Sequence, residues 1–349
     1  MSLYEYELGK AADTLTRELF ALKPGETFVI TADTESDRRV VDATARAAFA
    51  VGAKPLVIWT ASPLGVGKAA DPMLPVEALA ATLSKADAWV EFNNQWLLYS
   101  TAYDMAVAAN DKLRHLCLVG MNVDMMIRCI GRVNYPVLGE FLSVLRDVTM
   151  EAKEMRMTTP AGEDLTFRNS DDPNHLFTFA TGYAETPGSH MMAGQISWTP
   201  DLDSVNGHLV FDGSLVPPLG KLTAPIDLTL EKGSITHIAG GNEAREFEAW
   251  LKAFNHPQML KVAHASWSFH PGAKLTGDIV EDERVWGATE WGIGNIGPSL
   301  IAPAGIPGPS HTDGICLNTS AWVDGKQIMN EGRMTHPELS RLAKELGKE

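Results

Sequence analysis

The sequence predicts an α/β N-terminal domain with a mostly parallel sheet, followed by an α+β domain. Three observations carry this prediction. Helical and strand-like stretches alternate through residues 1–155, strand-like runs separated by turn residues dominate residues 156–349, and 349 residues exceed one typical domain. The boundary is placed at 155/156, where the texture changes.

Helical periodicity runs from Tyr4 to Leu22, and "KPGE" turns the chain into the β-like run "TFVITA". A helix with apolar positions at Val40, Val41, Ala45, Ala48 and Phe49 stops at Gly52, which enters the left-handed region without a Cβ clash. "PLVIWT", a helical segment at Val76–Leu83, "AWVEF", a helix near Thr101–Ala109 and "LRHLCLVG" complete the pattern. Strands separated by helices pair in parallel with helices over both faces, so residues 1–155 read as a Rossmann-like α/β domain. No G-x-G-x-x-G follows an early strand, and a dinucleotide site has no support. "GVGKAAD" at 65–71 approaches a phosphate-cradling loop, but Ala69 stands where the magnesium-binding hydroxyl belongs and Ser62 where the first glycine belongs. It reads as a plain loop.

After a helix over Pro136–Lys153, "EMRMTTPAGEDLTFR" alternates polar and apolar residues around a "PAGED" turn and reads as a β-hairpin. Strand-like runs recur at "GHLVFDG", "IDLTLEKGSITHIAGG" and "ICLNTSAWVDGKQIMNEG", interrupted by helical "NEAREFEAWLKAF" and closed by "HPELSRLAKELG". Runs of this kind form antiparallel sheets.

Composition narrows the function. A net charge of −15 without clustered Lys or Arg argues against nucleic acid as a partner. Cys117, Cys129 and Cys316 are too few and too scattered for a disulfide framework or a Cys-rich zinc site. "MSLYEYELGKAADTLTRELFAL" carries acidic residues and no long apolar run, so neither a signal peptide nor a membrane span is read there, and a cytoplasmic protein is expected.

All ten histidines but His115 fall in the second half. His115 sits inside an apolar strand and His336 at a helix start, while His175, His208, His237 and His256 have ordinary loop or strand settings. His264 ends an apolar run and is followed by Trp267, Phe269 and His270, which suits either a pocket wall or a core. In "GPSHTDGICLN", His311 and Asp313 share one face if the stretch is a strand, and the pair reads as metal ligands or as a polar turn. Taken together, His264, His311 and Asp313 offer the two imidazoles and one carboxylate of the facial triad in non-haem Fe(II) oxygenases.

The segments "TGYAETPGSH", "ISWTP", "LTLEKGSITHIAGGNEAREFEAWL", "VAHASWSFHPGAKL" and "PSHTDGICLNTSAWVDGKQIMNEG" carry a resemblance. In this order, across most of residues 180–332, they resemble the family of 2,5-dihydroxypyridine 5,6-dioxygenases, ring-opening enzymes related to the thermophilic metallo-aminopeptidases. The resemblance implies that residues 156–349 form an α+β metal-binding catalytic domain of the thermophilic metallo-aminopeptidase type. It also implies that His264, His311 and Asp313 hold Fe(2+). The aminopeptidases carry a Glu at the position of His264 and a metal-binding His at that of Asn295, so one metal is expected here rather than two. Trp267, His270 and Asn295 are expected to contact the substrate, and His190 to act as acid or base. Ala180 and Thr181 stand where the family has an acidic pocket residue, and residues 275–307 match poorly and are expected to form a substrate-selecting loop.

The activity so implied is an extradiol-type, ring-cleaving dioxygenase whose partners are a small aromatic substrate and dioxygen, working as a homo-oligomer. The competing readings are a mononuclear metal-dependent hydrolase acting on an amide or C–N bond and, last, a binding protein whose metal site has decayed.

Overall fold

The computed structural model describes residues 4–348. They form two compact units, residues 4–133 with Ala180–Ala193 and Asn134–Phe179 with residues 194–348.

The first unit is built on a five-stranded sheet in the order Lys54–Thr60, Thr27–Asp33, Ala88–Glu91, Arg114–Cys117, Gly188–Met191, with every neighbouring pair parallel. Helices connect the first four strands, as the alternating text requires. The helix Arg38–Val51 starts where the Asp37 side chain accepts the Arg39 N–H and ends at Gly52, whose φ of 94° is left-handed. In the loop that approaches a phosphate cradle, the Lys68 ammonium pairs with Asp104, in keeping with the plain reading. His115 is fully buried, stacked on Trp89, with Nε2 3.2 Å from Glu91 Oε2. The three cysteines are buried as thiols.

The second unit holds two antiparallel sheets. An eight-stranded sheet contains the "PAGED" hairpin as Glu154–Thr158 against Asp164–Arg168. A seven-stranded sheet has the order Gly220–Lys221, Ser214–Val216, Ile306–Cys316, Ala288–Ile296, Val262–Ser268, Gln195–Trp198, Phe177–Ala180. Trp198, Trp267 and Trp291 are fully buried in this unit.

Three features differ from the sequence reading. The helix Tyr135–Glu151 belongs to the second unit: its buried stripe of Leu138, Phe141, Leu142 and Leu145 includes Phe141, which packs on Phe269 and Trp286. The change of texture at 155 marks the end of that helix, whereas the compact units divide at 133/134. The segment Ala180–Ala193 returns to the first unit and supplies the fifth strand of its sheet. Residues 275–307, expected as a loop, contain the strand Ala288–Ile296, which pairs on both sides within the seven-stranded sheet. Among the described residues, no helix is long and apolar enough to cross a membrane.

Candidate metal centre

Three neighbouring strands of the second unit build the site. His264 lies on Val262–Ser268, and His311 and Asp313 lie on Ile306–Cys316. Between them runs Ala288–Ile296, in register so that Gly292 pairs with His264 on one side and with Asp313 on the other, while Gly294 pairs with His311. Alternation puts His311 and Asp313 on one face, and directly paired residues share a face across an antiparallel ladder. All three side chains therefore meet over Gly292.

His264 Nε2 stands 3.2 Å from His311 Nε2, His311 Nε2 stands 2.8 Å from Asp313 Oδ1, and His264 Nε2 stands 3.5 Å from the same oxygen. Ligands about 2.1 Å from a metal and at right angles to one another stand about 3.0 Å apart, so these separations fit one ion. Gly292 makes the space. A Cβ built there would fall 2.4 Å from His264 Nε2 and 2.8 Å from His311 Cε1. Among the described residues, these three are the group of side chains whose ligand atoms converge closely enough for an ion.

The electrostatics suit a cation. Burial holds the His264 imidazole below its ordinary pKa despite its hydrogen bond to Asp313, which favours the neutral ring that can ligate. Burial also opposes charge on His311, but the Asp313 carboxylate outweighs it and raises that group. Asp313 is half-buried, yet the facing imidazoles hold its carboxyl below the usual range. Two further carboxyls stand close by, Glu283 half-buried and Glu290 fully buried. Glu283 is pushed up to about 7 by burial, with Asp313 adding to the rise and Arg284 opposing it. Glu290, on the central strand two residues from Gly292, is raised well above its ordinary value by burial and by Asp313 and Glu283. A divalent ion on the triad is the charge that would offset this excess.

Other atoms fix the ligands. His311 Nδ1 donates to the Asn295 carbonyl at 2.7 Å, which leaves Nε2 with its lone pair toward the metal position. Asn295, expected at the substrate, thus serves through its backbone, and its side-chain Oδ1 accepts the Gly308 N–H at 3.0 Å. Trp267 occupies the strand face opposite His264: it is fully buried, and its indole N–H donates to Thr149 Oγ1 at 2.9 Å. His270 is likewise fully buried just past the strand end, with Nδ1 accepting the Gly272 N–H at 3.0 Å. The structure places these two in the packing behind and beyond the ligand strand. His190 lies in the first unit on Gly188–Met191, with Nε2 donating to the Thr186 carbonyl at 2.8 Å. Ala180 and Thr181 are half-buried at the segment that returns to the first unit.

The sequence reading passed over Gly292 and Glu290. The signal for Glu290 was available, because a carboxylate inside the apolar text "ATEWGIGNI" must be buried and therefore partnered.

Comparison with known proteins follows the same lines. The family model described as 2,5-dihydroxypyridine 5,6-dioxygenase matches residues 13–336. A 2,5-dihydroxypyridine 5,6-dioxygenase of Pseudomonas putida is 31% identical over 170 residues, which cover 46% of this chain and 49% of that protein. The match therefore spans about half the length of the curated relative. The solved structure of 2,5-dihydroxypyridine dioxygenase from Pseudomonas putida KT2440 superposes with a TM-score of 0.77 at 21% identity, over 97% of this chain and 99% of that one. AmpT from Thermus thermophilus follows with a TM-score of 0.69 at 14% identity, over 95% and 100%. At these identities the two structures speak for the fold, an α/β unit joined to an antiparallel one.

Proposed function

The chain belongs to the family of 2,5-dihydroxypyridine 5,6-dioxygenases, and we propose that it is an Fe(II)-dependent, extradiol-type dioxygenase that opens a hydroxylated aromatic or N-heteroaromatic ring such as a dihydroxypyridine. The observation that carries the proposal is the convergence of His264 Nε2, His311 Nε2 and Asp313 Oδ1 on one point over Gly292. Two imidazoles and one carboxylate on one side of an ion leave adjacent positions open for two exogenous oxygens. Bound there, Fe(II) would supply the redox chemistry that couples dioxygen to the ring.

The chain's own groups do the rest. With an ion bound, His264 and His311 would present neutral nitrogens and Asp313 a charged oxygen, so the protein would contribute one negative charge to a divalent centre. The Asn295 carbonyl keeps the His311 proton on Nδ1. Gly292 leaves the volume between the ligands free of side-chain carbon. His190 is the proposed proton acceptor for the substrate hydroxyl, on the strength of the family resemblance. With Nε2–H engaged by Thr186, its Nδ1 is the basic atom. Assembly as a homo-oligomer is part of the same proposal and is measured by light scattering.

The test is oxygen uptake by protein purified anaerobically and loaded with Fe(II), screened against hydroxypyridines and dihydroxybenzoates. Ring opening should consume dioxygen, and His264→Ala should lower turnover by at least roughly 100-fold through loss of metal. His190→Gln should lower kcat while metal content stays at the wild-type level. Turnover under argon would instead identify the hydrolase reading, and an iron-free protein in which His264→Ala loses nothing would remove the metal from the account.

A further inference from the structure

Each imidazole that binds a metal must carry its proton on the other nitrogen, and the acceptor of that proton sets ring orientation and basicity. For His311 the acceptor is the Asn295 carbonyl at 2.7 Å. For His264, Nδ1 faces two oxygens, Ser266 Oγ at 3.4 Å and Glu290 Oε1 at 3.5 Å. Resting on the metal-centre reading above, we propose that Glu290 is the positioning residue of His264, accepting its Nδ1–H and turning Nε2 toward the metal position.

Three observations favour Glu290 over Ser266. Glu290 is completely buried, its Oε1 has no hydrogen bond within normal geometry, and His264 Nδ1 stands 3.5 Å from it as an available donor. Ser266 Oγ donates to Ser197 Oγ at 2.8 Å and can meet the ring only through a hydroxyl lone pair, whereas Glu290 Oε1 is a carboxyl oxygen with no hydrogen bond of its own. The other oxygen of Glu290 is braced. Gln195 Nε2 donates to Oε2 at 3.2 Å, Arg284 Nη2 donates to Gln195 Oε1 at 3.1 Å, and Arg284 Nη1 is held by Val280 O at 2.7 Å and Glu283 Oε2 at 2.9 Å. This chain of contacts pins the carboxylate from the side away from the imidazole. It uses the buried guanidinium of Arg284 to steady a carboxyl that faces the proposed ligands His264 and Asp313 without lying among the converging ligand atoms.

The experiment measures Co(II) and Fe(II) affinity by anaerobic titration for wild type, Glu290→Gln and Ser266→Ala, with the melting temperature of each metal-free protein. Glu290→Gln should bind metal roughly 10–100-fold more weakly, because an amide is a weaker acceptor and can turn its NH₂ toward the ring. Its metal-free melting temperature should not fall, since the variant removes a buried carboxyl. Ser266→Ala should keep its affinity within about threefold. Wild-type affinity in Glu290→Gln, or a larger loss in Ser266→Ala, overturns the assignment. If Glu290→Gln does not fold, ¹⁵N spectra of wild-type His264 decide the matter. A proton on Nδ1 with a shift characteristic of a carboxylate partner supports the proposal, and a proton on Nε2 overturns it. The dioxygenase reading fails separately: metal that binds tightly and depends on Glu290, but drives no oxygen uptake, leaves this inference standing alone. A wild-type protein that binds no divalent metal overturns both.

Discussion

Gly292 shows how a single residue can hold a site open without touching a ligand atom. Its neighbours His264, His311 and Asp313 come from two different strands, and the strand between them must lack a side chain where they meet. Gly292→Val keeps a residue that suits a strand, since β-branched side chains pack well on a pleated surface. Its branches fall within the ligand cage, so metal affinity should drop by at least about tenfold while the metal-free protein stays folded. Titration with Co(II), read beside far-UV circular dichroism, separates these effects. The triad residues were legible from the sequence because imidazole and carboxylate are the ligand types iron takes. Gly292 was not, because an empty space leaves no mark in composition or period.

At the scale of elements, the hairpin Glu154–Thr158 to Asp164–Arg168 formed as its alternation required, but its turn holds a surprise of burial. Glu163, read as part of the "PAGED" turn, is 2% exposed beside Trp291 and Cys316, and burial together with Asp212 pushes its carboxyl up to about 8. A carboxyl raised in the folded state binds its proton more tightly there than in the unfolded chain. The stability it contributes is complete below its ordinary pKa near 4.5 and is lost as the pH rises through about 8. Glu163→Gln mimics the protonated form at every pH. It should leave the melting temperature nearly unchanged at about pH 5 and raise it by roughly 5 °C at about pH 9. Scanning calorimetry at the two pH values tests this, and equal effects at both would exclude a buried neutral acid. The local pattern identified the turn correctly, but only the neighbouring sheet decides that one of its acids lies inside.

For the whole molecule, all three proposed ligands lie in the second unit, on the strands Val262–Ser268 and Ile306–Cys316. A ligand that binds only the folded state stabilises what it binds, by about 2.7 kcal/mol when present at 100 times its Kd. Metal loading should therefore slow amide exchange in Val262–Ser268, Ala288–Ile296 and Ile306–Cys316. Exchange in Thr27–Asp33, Lys54–Thr60 and Ala88–Glu91 should be unchanged, and chelation should reverse the effect. Mass-spectrometric hydrogen exchange reads both sets of strands in one experiment, and slowing confined to the second set would place the metal elsewhere.

The sequence by itself determined the class of each unit, because helix and strand periods and turn residues are local properties that burial on one face imposes. It also determined the chemistry offered at His264, His311 and Asp313, and the shared face of the last two. Tertiary structure decided the rest. It brought His264 to within 3.2 Å of a residue 47 positions away, assigned the helix Tyr135–Glu151 to the second unit and a later segment to the first, and put Trp267 and His270 in the packing rather than beside the ligands. Periodicity fixes which side chains share a face of one strand. Which strands become neighbours, and in what register, depends on pairings between distant segments that bury their faces together, and no local stretch of sequence contains that information.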